Sequence, residues 1–244
     1  MGSLVKWELK QTLFSKVFVG IGLLMFLGTF GTMLSMGAEE AYSGFEIFLA
    51  LCSNFNSFLL FFVGIYCGIT VTRAFEERRV QAAVMAGYSR LRILAAKLLS
   101  FSLSVSLFWL FTVAFGIVVI SCTMGMTGLP GSFLSEVVLR ILVYCLVLVS
   151  SSSICFLLSC LVRNLGTAIA VNLVAMLVGN GIVQSLAEES WGEMPLRLTA
   201  VGQTLVTLAD SDFSNYLLAC GTSVVGLVGV LFVTYFLLRK AELK

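Results

Sequence analysis

Glu76-Glu77 and Glu188-Glu189 set carboxylates side by side, and paired acids are one of the ways a protein does general acid–base chemistry. Both pairs fall between long apolar runs, where they read as charged surface loops and not as a catalytic dyad. Histidine is absent, which removes histidine bases, Ser-His and Cys-His nucleophiles, and histidine metal sites. The seven cysteines, Cys52, Cys67, Cys122, Cys145, Cys155, Cys160 and Cys220, lie in or beside apolar runs with no C-x-x-C spacing. They read as small core- or lipid-facing residues, not as a disulfide frame or a zinc site. No G-x-x-x-x-G-K-[ST], G-x-S-x-G or H-E-x-x-H occurs, so the chain has no P-loop of its own for ATP hydrolysis. These absences predict no catalytic residue, no metal ligand and no cofactor held by this chain.

The remaining chemistry is recognition, and it concentrates in residues 73–97. This stretch carries Arg73, Arg78, Arg79, Arg90, Arg92 and Lys97, six of the fifteen Lys and Arg residues. Val80, Val84, Gly87 and Leu91 recur at helical spacing, with Arg78, Arg79 and Gln81 off that stripe. The pattern predicts a short amphipathic helix within 76–91, at the membrane surface. One reading is a solvated loop whose charges only set topology. The other is a docking surface for a cytoplasmic partner, with Val80 and Val84 as the anchoring side chains.

The elements that must position this stretch are membrane spans. Of 244 residues, 59% are hydrophobic and 11% charged, where a soluble domain carries about 25% charged. The mean hydropathy is +1.04. Six apolar runs are predicted as spans, at about 17–36, 47–72, 94–122, 137–161, 166–186 and 217–238. Each is near or above the roughly 20 residues that cross a bilayer as helix. The second and third are longer, so they should tilt or project beyond the lipid. Continuous apolarity, without alternation, excludes a β-barrel. The expected fold is therefore all-α, a single domain over 1–244 with six transmembrane helices. The first run is longer than the roughly 7–15 apolar residues of a signal peptide, so it is read as a retained span. Before it, residues 3–16 interleave Lys6, Glu8, Lys10 and Lys16 with Leu4, Trp7, Leu9, Leu13 and Phe14. That predicts a helix lying in the interface, with Trp7 at headgroup depth.

Charge sets the orientation. The two terminal segments with the second and fourth connections hold thirteen basic and four acidic residues, a net +9. The other three connections hold Arg140 and Arg197 against nine acids, a net −7. The positive-inside rule places both termini and the basic stretch in the cytoplasm. On the outer side, 187–214 contains Pro195 and then Leu198, Val201, Leu205 and Leu208 at helical spacing, which predicts one or two short amphipathic helices. Gly128-Leu-Pro-Gly131 reads as a turn. Glu136 and Arg140, four apart, can pair near the outer interface.

Asp, Glu, Lys and Arg are absent from the predicted midplane, which argues against a proton- or sodium-coupled transporter. Asn54, Asn56, Asn172, Asn180, Gln184, Ser150-Ser-Ser-Ser153 and Ser159 do fall in spans. They serve either as helix-to-helix hydrogen bonds or as a weakly polar lining for an amphipathic substrate. No G-x-x-x-G spacing dominates this reading.

Glu77 followed by Ala86-Gly-Tyr-Ser-Arg90, Ile93 and Lys97 resembles the second cytoplasmic region of ABC-2 type transporter permeases. The closest likeness is to the short branch tied to bacteriocin and lantibiotic self-protection. Arg79-Val80 stands where that pattern has Gly-Thr. Lys6-Trp-Glu-Leu-Lys10 and the outer helices also look like this family. The resemblance implies a permease subunit of the bacterial cytoplasmic membrane, exporting an amphipathic or peptide-like substrate. It implies a coupling helix over 76–91 that docks on a separate ATPase subunit through Glu77, Arg78, Arg79, Val80, Val84, Gly87, Ser89 and Arg90. It further implies that two permeases, identical or homologous, join two ATPases, and that ATP and Mg bind the ATPase. Spans two and five usually line the interface, which makes Asn54, Asn56, Asn172, Asn180 and Gln184 candidate pathway residues. The alternative class is a membrane interaction or sensory subunit that uses the same dock and moves no substrate.

Overall fold

A computed structural model describes residues 2–36, 44–77, 79–123, 133–162, 164–188, 193–199, 201–204 and 213–240. The elements in chain order are α1 (Gly2–Leu13), α2 (Lys16–Met36), α3 (Gly44–Glu76), α4 (Arg79–Met85), α5 (Arg90–Thr123), α6 (Phe133–Val162), α7 (Leu165–Glu188), α8 (Glu193–Leu198) and α9 (Phe213–Lys240). The described residues are all-helical, with no strand. Arg78, the Gly128–Gly131 turn, Arg163, Leu205 and Leu208 lie outside them. So do the side chains of Asn54, Asn56 and Glu136, although their backbones belong to α3 and α6.

Five helices, α3, α5, α6, α7 and α9, are long and apolar enough to cross a membrane. Across the described residues, α1 and α2 meet the same standard only together, over a 53° bend. The bend has a local cause. The Ser15 hydroxyl accepts the Phe18 N–H at 3.1 Å and donates to the Thr12 carbonyl at 2.8 Å. Ser15 thereby ends one helix and caps the next. By its rise α2 is about 31 Å long, enough to cross the roughly 30 Å hydrocarbon core alone.

The core lies where α2, α3, α5 and α6 meet. Leu59, Val63, Tyr66, Phe101, Phe108, Trp109, Tyr144, Leu148 and Phe156 form one buried cluster. Aromatic pairs stitch it together: Tyr66 meets Phe108 edge-on at 5.3 Å, and Trp109 lies 4.7 Å from Tyr144. α6 is the central helix, packed on α3, α5, α7 and α9. α7 and α9 are the least buried spans and flank it. Ser150 Oγ donates to the Ser223 carbonyl of α9 at 2.9 Å, and its three neighbours donate back to carbonyls of their own helix. The serine run is thus consumed in helix contacts. At the start of α9, Arg140 donates to the Tyr216 hydroxyl and Arg197 to the Asn215 side chain, tying α6 and α8 to that helix.

Helices α3 and α5 have 33 and 34 residues, about 50 Å each. They exceed the hydrocarbon core by roughly 20 Å. The excess positions the candidate site, because α4 connects their ends.

Candidate functional site

The basic stretch folds as a short helix with defined stops, narrower than the 76–91 expected from sequence. α3 runs to Glu76, α4 covers Arg79–Met85, and α5 starts at Arg90. Between α4 and α5, Gly87 has a positive φ of 87°. Its N–H donates to the Val84 carbonyl at 3.0 Å, and the Tyr88 N–H donates to the Ala83 carbonyl at 3.2 Å. These two bonds make a Schellman stop, which needs a left-handed residue that glycine supplies without strain. Ala83 and Tyr88 share a small apolar cluster, the contact that accompanies such a stop. Ser89 then stands at the cap position of α5, its carbonyl accepting the Ile93 N–H at 3.1 Å. The Ala-Gly-Tyr-Ser-Arg segment therefore has a backbone role: it stops one helix, reverses direction and starts another.

α1 packs across this corner. Leu4 of α1, Val80 of α4, and Ile93 and Ala96 of α5 form a buried cluster, with Val5, Phe75, Ala83, Val84 and Tyr88 around it. Beside it Lys97 Nζ donates to Glu8 Oε1 at 2.9 Å, both side chains being less than a tenth exposed. Leu4 and Glu8 lie one turn apart and face inward, while Lys6, Trp7, Lys10 and Phe14 face outward. A second polar tie comes from Arg79, which donates to Gln11 Oε1 of α1 and pairs with Glu77. Glu76 faces elsewhere: its Oε1 accepts the Leu165 N–H at 3.2 Å, next to Asn164, whose Oδ1 accepts the Gly166 N–H at 3.1 Å. The two adjacent acids thus cap α7 and hold Arg79, and share no common proton.

This geometry redistributes the predicted docking residues. Val80, expected as an anchor for a partner, is 8% exposed and packed on the chain's own α1 and α5. Its packing inside the chain leaves little of its surface to meet a partner. Val84 is half-buried in the same cluster, and Gly87 sets the backbone. Ser89 and Arg90 are exposed, as are Ala82 and Ala86. The large apolar side chain that α4 leaves open is Met85, 83% exposed. Sequence periodicity missed it, because the helix uses its valine stripe for its own fold. The signal was there in Leu4 and Glu8, whose one-turn spacing gives α1 an inward face that needs a partner.

Of the candidate pathway residues, Asn172, Asn180 and Gln184 have described side chains, and they stand at different depths of burial along α7. Asn172 is fully buried. Its Nδ2 donates to the Gly64 carbonyl at 3.1 Å and to Ser159 Oγ at 2.8 Å, and Ser159 in turn donates to Cys67 Sγ at 3.7 Å. This joins α3, α6 and α7. Asn180 is half-exposed and Gln184 exposed, further along α7. The α3–α7 crossing rests on Gly64 and Gly68, a G-x-x-x-G that sequence reasoning passed over. A Cβ on Gly68 would stand 2.8 Å from Ile169 Cγ1 and 3.2 Å from its backbone, so only glycine lets the helices approach. Among the described residues no group of three His, Cys, Asp or Glu could hold a metal ion.

No protein-family model matches this chain, and no curated protein matches it either.

Proposed function

We propose that this chain is the membrane permease subunit of an ATP-driven exporter of the ABC-2 type, coupled through α4 to a separate ATPase. The observation that carries the reading is a short helix held rigidly at the tip of two projecting spans, with Met85 free at its surface. A loop that only set topology would need neither the α1 clamp nor the Schellman stop. The motif resemblance of residues 77–97 supports the same reading, and so does the charge split. Six spans with cytoplasmic termini put α4 on the ATPase side of a bacterial plasma membrane. ATP and Mg would be held by the partner, and two permeases would complete the assembly around an amphipathic or peptide-like substrate.

The test is capture of a P-loop ATPase with the tagged chain from its native membrane, identified by sequence and by ATP hydrolysis that the isolated chain lacks. Burying a methionine contributes about 1.5–3 kcal/mol, one to two decades in affinity. Met85→Asp is therefore expected to lower ATPase recovery by about that much without changing membrane insertion. Val84→Asp is a poor probe, because it also breaks the chain's own cluster. Full recovery with Met85→Asp would remove α4 as the dock. Recovery of the ATPase without substrate-stimulated hydrolysis or vesicle transport would favour the non-transporting subunit.

A further inference from the structure

A groove of about 470 Å³ opens sideways between α2 and α5, lined by Phe18, Gly22, Phe26, Phe111, Phe115 and Val118 among others. Phe18, Gly22 and Phe26 follow one another at four-residue spacing, so they form a single stripe on α2. At one end Phe18 stacks on Phe108 at 4.5 Å, and at the other Phe26 meets Phe115 at 4.0 Å. Between these two aromatic bridges Gly22 leaves the gap. A Cβ there would meet Phe108 Cε1 at an ordinary 3.7 Å, with open groove beyond. The absence of a side chain at one position therefore creates the groove.

Its depth and its mouth suggest the occupant. Lys16, the first residue of α2, is exposed, makes no ion pair among the described residues, and lies one turn below Val19 of the groove wall. From Lys16 to Phe26 the helix rises about 15 Å, half the roughly 30 Å hydrocarbon thickness. Phe14, 83% exposed at the bend just before α2, gives this end of the groove an interfacial character. An exposed cation flanking the Val19 edge, at the start of an apolar slot about one leaflet deep, matches the two ends of an anionic phospholipid.

We propose that this groove holds one acyl chain of an anionic phospholipid, with its phosphate on Lys16. The site needs no ATPase and no transport; only the naming of the leaflet as cytoplasmic rests on the orientation proposed above. The lipid would fill the seam between the bent α1–α2 pair and α5, and so support the helix to which α1 is clamped.

Native mass spectrometry of the purified chain, in an equimolar mixture of phosphatidylglycerol and phosphatidylcholine with identical acyl chains, reads both ends separately. A basic residue near an anionic surface contributes enough to raise occupancy about fivefold, so wild type is expected to retain phosphatidylglycerol in about that excess. Lys16→Gln should erase the preference while total bound lipid changes little. Gly22→Leu should lower retention of both lipids, with Lys16→Gln as the independent arm if the leucine variant folds poorly. Equal retention by wild type overturns the proposal, as does a preference that survives Lys16→Gln and disappears only with Lys6→Gln and Lys10→Gln. Disulfide-linked dimers from Phe26→Cys in native membranes would assign the groove to a second copy of the chain, and overturn it too. None of these outcomes bears on ATPase capture through Met85, so the two readings fail separately.

Discussion

The α1–α4–α5 corner buries an ion pair, Glu8 with Lys97, whereas the α3–α6–α7 crossing buries only neutral groups, Asn172, Ser159 and the Gly64 carbonyl. The difference follows from where each lies along the spans. A charge within the hydrocarbon costs up to about 2.5–3.5 kcal/mol on insertion scales, whereas the crossing is held by amides, hydroxyls and glycine contact. The corner sits on helices that exceed the hydrocarbon thickness, where a salt bridge is affordable and a broken one is not. The corner should therefore respond to mutation as a latch and the crossing as a graded contact.

The largest expected effect comes from the latch. Lys97→Met leaves the Glu8 carboxylate buried alone, and breaking a buried pair in this way costs about 3–5 kcal/mol. Adding Glu8→Leu in the same chain should recover most of the loss, because an apolar pair of similar volume tolerates burial. Thermal unfolding of the single and double variants in detergent reads this directly. A Lys97→Met variant that melts like wild type would mean the pair is solvated. The crossing should give less. Hydrogen bonds between membrane helices contribute on average about 0.6 kcal/mol, so Asn172→Leu should shift the melt by a degree or two. An Asn172→Leu variant that melts at least as high as wild type would mean that these hydrogen bonds do not hold the crossing.

Much of the bundle was legible in the sequence because a membrane span is a composition signal. Each predicted run lies inside an observed helix, and the longest extensions are charged or polar turns that continue the helix, as at Arg73–Glu76 and Arg90–Arg92. The site was harder to read. Val80 and Val84 carry the same periodicity whether they face a partner or their own α1, and periodicity does not say which. Only the pairing of Glu8 with Lys97, 89 positions apart, decides it, and nothing local announces a contact of that range. The Gly64–Gly68 spacing stands in the sequence, but glycines are frequent in membrane helices and the spacing alone does not name the facing helix. Gly87 and Ser89 were legible as motif letters, and the structure supplies their backbone work.

The most direct test of the corner compares two single cysteines, Val80→Cys and Met85→Cys, labelled with a membrane-impermeant maleimide in inside-out vesicles and corrected for the native cysteines. With exposures of 8% and 83%, Met85→Cys is predicted to react at least about tenfold faster, since Val80 is reached only through local opening. Adding Lys97→Met should release α1 and bring Val80→Cys close to the Met85→Cys rate. Equal rates in the otherwise unmodified chain would contradict the clamping of α4 by α1, and labelling of Met85→Cys from the outside of right-side-out vesicles would contradict the cytoplasmic side proposed for it.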